Sequence, residues 1–166
     1  MTKFMKLLPA FGFRKPPAVE RRLHQRVMSH WQTLKRDREF VLVKDFDPLA
    51  LEDSSTHGFL LDLTAAGCPV LRFVGPVLRD EASIAGDDVA LSEVCGDTLL
   101  RRFADRHPEV SADRSAISAE YDFITSAGYH VLCRGVLLPL SSDGVLLDHV
   151  YGVISWKSEK VEAEAT

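Results

Sequence analysis

The chain has 166 residues, 46% of them apolar and 27% charged, which fits one globular domain with a real core and is too short for two. Its net charge of −4 and isoelectric point of about 5.8 belong, as totals, neither to a nucleic-acid binder nor to a strongly acidic protein. The charge is unevenly placed: Met1 to Arg38 carries ten Lys/Arg against two acids, a net of +8, whereas Glu39 to Thr166 carries ten against 22, a net of −12.

No apolar run reaches the roughly 18 to 20 residues that span a bilayer. Residues 1–17 read as a basic flexible tail, in which Phe4, Met5, Leu7, Leu8, Phe11 and Phe13 alternate loosely with four cations before Pro16-Pro17. Two uses fit it: weak contact with an anionic membrane surface or an acidic partner, or docking on its own domain or a second copy. Its apolar part is too short, and too interrupted by Pro9 and Gly12, for a secretory signal. Cys68, Cys95 and Cys133 are odd in number and far apart, so no disulfide framework and no Cys-x-x-Cys pair is expected. The cytoplasm is the expected compartment.

From Ala18 to about Arg38 a helix is predicted. Pro17 suits its start, and Val19, Leu23, Val27, Trp31 and Leu34 form one apolar stripe at helical spacing. Such a helix ahead of a β-rich body must bury the stripe on the body or on a partner helix, so these five residues are the candidate interface. Phe40-Val41-Leu42-Val43 reads as a strand or an extended lead-in, and Asp47-Pro48 as the start of a short helix over 48–53. Strands are predicted over 58–63 and 70–78, joined as a hairpin, with Pro76 placing the second at an edge or a bulge. The polar stretch 79–114 holds a weak helix around Val89, Leu91 and Val94 and a better one over 98–107, ended by Pro108.

Three strands finish the order. In the first, over 117–125, Ile117, Ala119, Tyr121 and Phe123 share one face, while Ser118, Glu120 and Asp122 share the other. The runs 129–140 and 146–156 are apolar on both faces, as central strands covered on both sides would be. Ser126-Ala127-Gly128 and Ser141-Ser142-Asp143-Gly144 supply the turns. The expectation is one α+β domain over 18–157, with a polar C-terminal tail over 158–166.

Several words of this sequence occur in a familiar order. His30-Trp31, Asp45-Phe46-Asp47-Pro48, Leu60-Leu61-Asp62, Arg72-Phe73-Val74-Gly75, the Gly86 loop, and Leu138-Pro139-Leu140 ahead of Asp143-Gly144 together resemble a bacterial subfamily of small stand-alone PAS domains, over roughly Leu23 to Ser155. The resemblance implies a five-stranded antiparallel sheet with helices between its second and third strands. It also implies sensing or protein interaction without catalysis. Pro76 departs from the family, which usually has a small hydroxylated residue after the glycine, and the Gly86-Asp87-Asp88 loop departs as well. On this reading Phe73, Phe103, Tyr121, Phe123 and Cys133 are the ligand-pocket candidates.

The chemical candidates are few. Haem would need a histidine on the long middle helix, which offers His107 at its end; a surface histidine near a helix C-terminus is the ordinary account of it, and no cofactor is expected. Cys95 lacks the neighbours of a flavin-reactive cysteine. His24, His30, His57, His107, His130 and His149 are scattered, so no metal site is expected; His130 and His149 could approach each other across the last hairpin, but with Tyr129 and Tyr151 beside them a solvated sheet face explains them better. No Gly-x-Ser-x-Gly elbow or glycine-rich phosphate loop is present, so no catalytic residue is expected. The acidic body argues against nucleic acid. The expected role is a regulatory module that docks on a signalling protein such as a histidine kinase, on another PAS protein, or on itself as a homodimer; a small-molecule or haem sensor is the alternative.

Overall fold

The computed structural model describes residues 18–47 and 55–161, with side chains from Leu23 onward. The tail over 1–17, the short helix over 48–53 and the end of the polar C-terminal tail lie outside the described residues.

The first element is helix α1 (Ala18–Lys35), followed by the two-residue strand β1 (Val41–Leu42) and a 3-10 turn over Val43–Asp45. Strands β2 (Gly58–Asp62) and β3 (Val70–Val74) form the expected hairpin. Helix α2 (Pro76–Ala82), the two-residue strand β4 (Val89–Ala90), and helices α3 (Leu99–Ala104) and α4 (His107–Asp113) make the helical middle. Strands β5 (Ile117–Ile124), β6 (Tyr129–Ser141) and β7 (His149–Lys160) complete the chain.

The five long strands lie in the order β5-β6-β7-β2-β3 with antiparallel neighbours throughout, and the helices fall between the second and third of them in sequence. This is the PAS-like α+β architecture expected above. The two short strands extend the sheet: β1 runs parallel to the end of β6, and β4 pairs with β3. The centre is the β6–β7 ladder, unbroken over twelve pairs from Tyr129↔Lys160 to Leu140↔His149.

Period-two geometry sends alternate residues of this ladder into two layers. Val136, Leu138, Leu140, Tyr151 and Val153 face α1, where Leu23, Val27, Trp31 and Phe46 cover them. Cys133, Leu137, Val150 and Ile154 face the helical middle, where Leu78, Leu100, Phe103 and Val110 cover them. Leu23, Val27 and Trp31 of the α1 stripe are thus buried on the chain's own sheet, and Trp31 Nε1 donates to Pro139 O at 3.0 Å.

Several boundaries differ from the sequence reading, and prolines explain two of them. Val70–Leu78 is not one strand: β3 stops at Val74, Gly75 caps a helix, and Pro76 begins α2, where its missing N–H costs nothing. Pro108 likewise lies in the first turn of α4 instead of only ending the helix before it. Val89 and Ala90 pair with Leu71 and Val70 of β3, so the weak helix predicted around them is a strand and a 3-10 turn over Leu91–Glu93. Helix α1 stops at Lys35 because Arg36 takes the left-handed conformation, at φ 52°. Strand β7 continues to Lys160, into the predicted tail.

Two glycines let aromatic rings lie directly on the sheet. A Cβ on Gly135 would sit 2.3 Å from the Phe103 ring, and one on Gly152 would sit 2.3 Å from the Phe59 ring. Gly135→Ala is expected to destabilise the fold by about 1–3 kcal/mol through overpacking, with a smaller loss when Phe103→Leu is also present, as measured by urea denaturation of both backgrounds. Trp31→Phe is expected to cost about 1 kcal/mol by removing the donor to Pro139 O.

Candidate functional site

The five pocket candidates do not form one pocket. Phe103, Phe123 and Cys133 are buried in the layer between the sheet and the helical middle. Tyr121 is half-buried against them, its ring edge-on to Phe103 at a centroid separation of 5.2 Å. Phe73 packs in the other layer, with the α1 cluster, because the β2–β3 register shifts at Arg72, an extra residue that breaks the alternation between Leu71 and Phe73. Within the interlayer, Phe103 over Gly135 and Phe59 over Gly152 occupy the space directly on the central strands. Burial pushes the Cys133 thiol up to about 12, so it is inert. Of the interface candidates, Leu23, Val27 and Trp31 are buried on the sheet and Leu34 is half-buried with them. The side chain of Val19 lies outside the described residues.

A groove of about 770 Å³ lies instead along the sheet edge formed by β5. Ser118, Ala119, Glu120 and Tyr121 of that strand line it, with His24 and Gln25 of α1, Arg106 ahead of α4, and Arg134 and Val136 of β6. Since four consecutive strand residues point alternately to opposite layers, a space touching all of them lies off the strand's outer edge. The walls are held by ion pairs. Arg134 directs Nε and Nη2 to Glu120, its cross-strand partner. Arg106 forks onto Glu109 and also donates to the Tyr121 hydroxyl at 2.5 Å.

His24 stands where α1 meets this groove. It is 6% exposed, its Nε2 lies 2.9 Å from Ser155 Oγ, and its Nδ1 has no hydrogen-bond partner among the described residues. Burial first, then the positive field of Arg134 and His57, lowers its pKa to about 4, so it is neutral near pH 7.

The remaining histidines serve local structure. His130 and His149 do not approach each other. They sit at opposite ends of the β6–β7 ladder, His130 on Asp122 at 2.6 Å and His149 on Asp148 at 2.9 Å. Nor is Tyr151 on a solvated face, being fully buried beneath α1. His107 begins α4 instead of ending a helix, and burial lowers its pKa, so the C-terminal dipole account of it fails. Asp62 is buried, which would raise its pKa, but hydrogen bonds from Thr64 and Arg72 outweigh burial and hold it at about 2. Among the described residues no three His, Cys, Asp or Glu side chains cluster to hold a metal. No described helix is long and apolar enough to cross a membrane.

Sequence reasoning passed over His24, Arg106 and Arg134. The alternation of β5 had put Glu120 on the polar face, and the β5–β6 hairpin register sets Arg134 opposite it. Arg106 carried no such signal, because its place depends on how the α3–α4 turn folds back on Tyr121.

The class of protein that this strand order and helix placement define is a PAS-like α+β domain. No protein-family model and no curated protein matches the chain. Among solved structures it is similar to an RNA-binding light-oxygen-voltage receptor, with 15% identity and a TM-score of 0.44 over 90% of this chain and 36% of that one. The chain therefore spans about a third of the length of that receptor.

His24 ties the site to pH. Its pKa is lowered on folding from 6.5 to about 4, so its contribution to stability is complete above pH 6.5 and declines as pH falls toward 4. The loss is on the order of 3 kcal/mol. In paired urea titrations, wild type is expected to lose more stability than His24→Asn across that interval; parallel profiles would show that His24 is not the group responsible.

Proposed function

We propose that this chain is a non-catalytic regulatory module of the PAS type, acting in the cytoplasm by protein–protein interaction. The observation that carries this reading is the filled interlayer: Phe103 and Phe59 lie on Gly135 and Gly152, where an interlayer pocket would need open space. An accessible concavity among the described residues is instead the β5-edge groove, rimmed by charged pairs. Cys133 is buried and inert, and the two arginines of the groove are engaged by Glu120, Glu109 and Tyr121, which supports a role without catalysis.

The output is carried by α1. Its residues His24 and Gln25 line the groove, while Leu23, Val27 and Trp31 of the same helix are seated on the sheet. A partner that contacts His24 and Gln25 in one packing of α1 but not in another shifts the population between the two. Partners consistent with this role are a histidine kinase or other signalling protein, another PAS protein, or a second copy.

The competing reading, a sensor with a resident small molecule or haem, is separated by one measurement. Native mass spectrometry and an absorption spectrum of the purified chain are expected to show the mass of the polypeptide alone and no Soret band. A stoichiometric extra mass would overturn the interaction reading in favour of a sensor.

A further inference from the structure

The two edges of the sheet are finished differently. On one side β3 is covered by β4, and beyond that pairing the Val74 N–H is taken up by Asp87 Oδ1 at 3.1 Å. On the other side β5 pairs with β6 through eight residues in unbroken register, with no bulge, proline or glycine, and has no strand beyond it. The hydrogen bond from Thr125 N–H to Tyr129 O fixes the alternation of this hairpin. The odd-numbered residues of β5 therefore turn their backbone groups to β6, and Ser118, Glu120, Asp122 and Ile124 turn theirs outward. Among the described residues, these outward groups have no partner outside the sheet. An open edge of this length is a template for another strand.

We infer that the β5 edge groove receives an extended acidic peptide segment of a partner protein, which adds to the sheet as a strand beside Ser118, Glu120 and Asp122. This deepens the interaction reading above and rests on it. The groove lies where such a strand would run, with α1 on one side and Arg106 on the other. Side chains of an added strand would alternate between these walls. On the α1 side they meet Arg134, Ser118 and Gln25; on the other they meet Arg106 and the Tyr121 hydroxyl. Among the lining residues Arg106 and Arg134 against Glu120 sum to +1, with Glu109 already paired to Arg106 and Asp122 of the same edge turned to His130, in a body whose net charge from Glu39 onward is −12. Glu120 occupies Nε and Nη2 of Arg134 with a single carboxylate oxygen, so a second carboxylate can approach that guanidinium.

The same charges disfavour two other occupants. A second copy related by a two-fold axis would set acid opposite acid in the three registers that centre the pairing on Glu120 and Asp122, which are those that join the most outward-facing groups. Residues 1–17 carry Lys3, Lys6, Arg14 and Lys15 and no acid, the wrong sign for Arg106 and Arg134.

The test uses the full chain and three blocked octapeptide probes of alternating Thr and Val. One has a central Glu, one has Lys in its place, and one is the Glu peptide N-methylated at alternate amides. Fluorescence anisotropy gives affinity, and amide hydrogen exchange by NMR gives the site. The Glu probe is expected to bind about tenfold more tightly than the Lys probe, and the N-methylated probe is expected not to bind. Protection should rise at the amides of Ser118, Glu120 and Asp122. Arg134→Gln should remove the preference for Glu over Lys; if that variant does not fold, the comparison of probes on wild type stands alone. Equal affinity for all three probes, protection elsewhere, or no binding would overturn the proposal. Protection of these amides without probe would assign the edge to a second copy if it grew with protein concentration. If it vanished on removing residues 1–17, it would assign the edge to the chain's own leading segment. Either result also overturns the proposal. If no probe binds and the chain carries no small molecule, the edge site fails while the interaction reading stands; a resident small molecule removes the interaction reading itself.

Discussion

Strands β6 and β7 are paired over twelve positions near the middle of the sheet, and apolar side chains leave this ribbon in both directions. A sheet buried on both faces needs a cover on both, and neither α1 nor the helical middle has another apolar surface of that size to bury against. Helix α1 is held by Tyr151, Val153 and Leu138; α2 to α4 are held by Leu137, Val150 and Ile154. The hairpin β2–β3 is added on the β7 side and β5 on the β6 side, so the ribbon also decides which strand ends at each edge.

Close packing on that ribbon determines where open space remains. Glycines at positions 135 and 152 remove side chains from the interlayer face and let Phe103 and Phe59 approach the backbone. Two large rings then fill the volume that two β-branched side chains would leave between the layers. Chemistry is displaced to the rim, where Arg106 pairs with Glu109 within the first turn of α4 and Arg134 pairs with Glu120 across β5 and β6, all partly in water. His24 is the exception. It is a polar residue carried under α1 by the same helical period that buries Leu23 and Val27, and it is kept neutral by its surroundings.

Much of the fold was legible because it rests on local periodicity. The α1 stripe, the alternation of β5 and the doubly apolar character of β6 and β7 all come from side-chain spacing that any packing must satisfy. The errors fall where one residue type serves two structures. Pro76 is compatible with a strand edge and with the first turn of a helix; the buried Gly75, whose Cβ would lie 2.1 Å from Ser55 O, settles the matter by ending β3 and capping α2. Val89 and Ala90 are too few to show a period, and only the exposed edge of β3 makes them a strand. The candidate site was less legible than the fold. Phe73 and Phe103 are both apolar and central, yet the register shift at Arg72 of β3 sends Phe73 to the layer opposite Phe103 and Leu71.

The amino-acid order by itself determined the succession of a helix, a hairpin, a helical middle and a three-strand meander, and the split between a basic leading region and an acidic body. These follow from composition and from contacts between near neighbours in the chain. The layer in which each aromatic sits, the burial of the α1 stripe on its own sheet, and the groove between α1, β5 and Arg106 were decided by tertiary structure. Each depends on residues far apart in sequence: His24 meets Ser155, Trp31 meets Pro139, and Arg106 meets Tyr121. Such pairings are selected only when the whole chain competes for the two faces of one sheet.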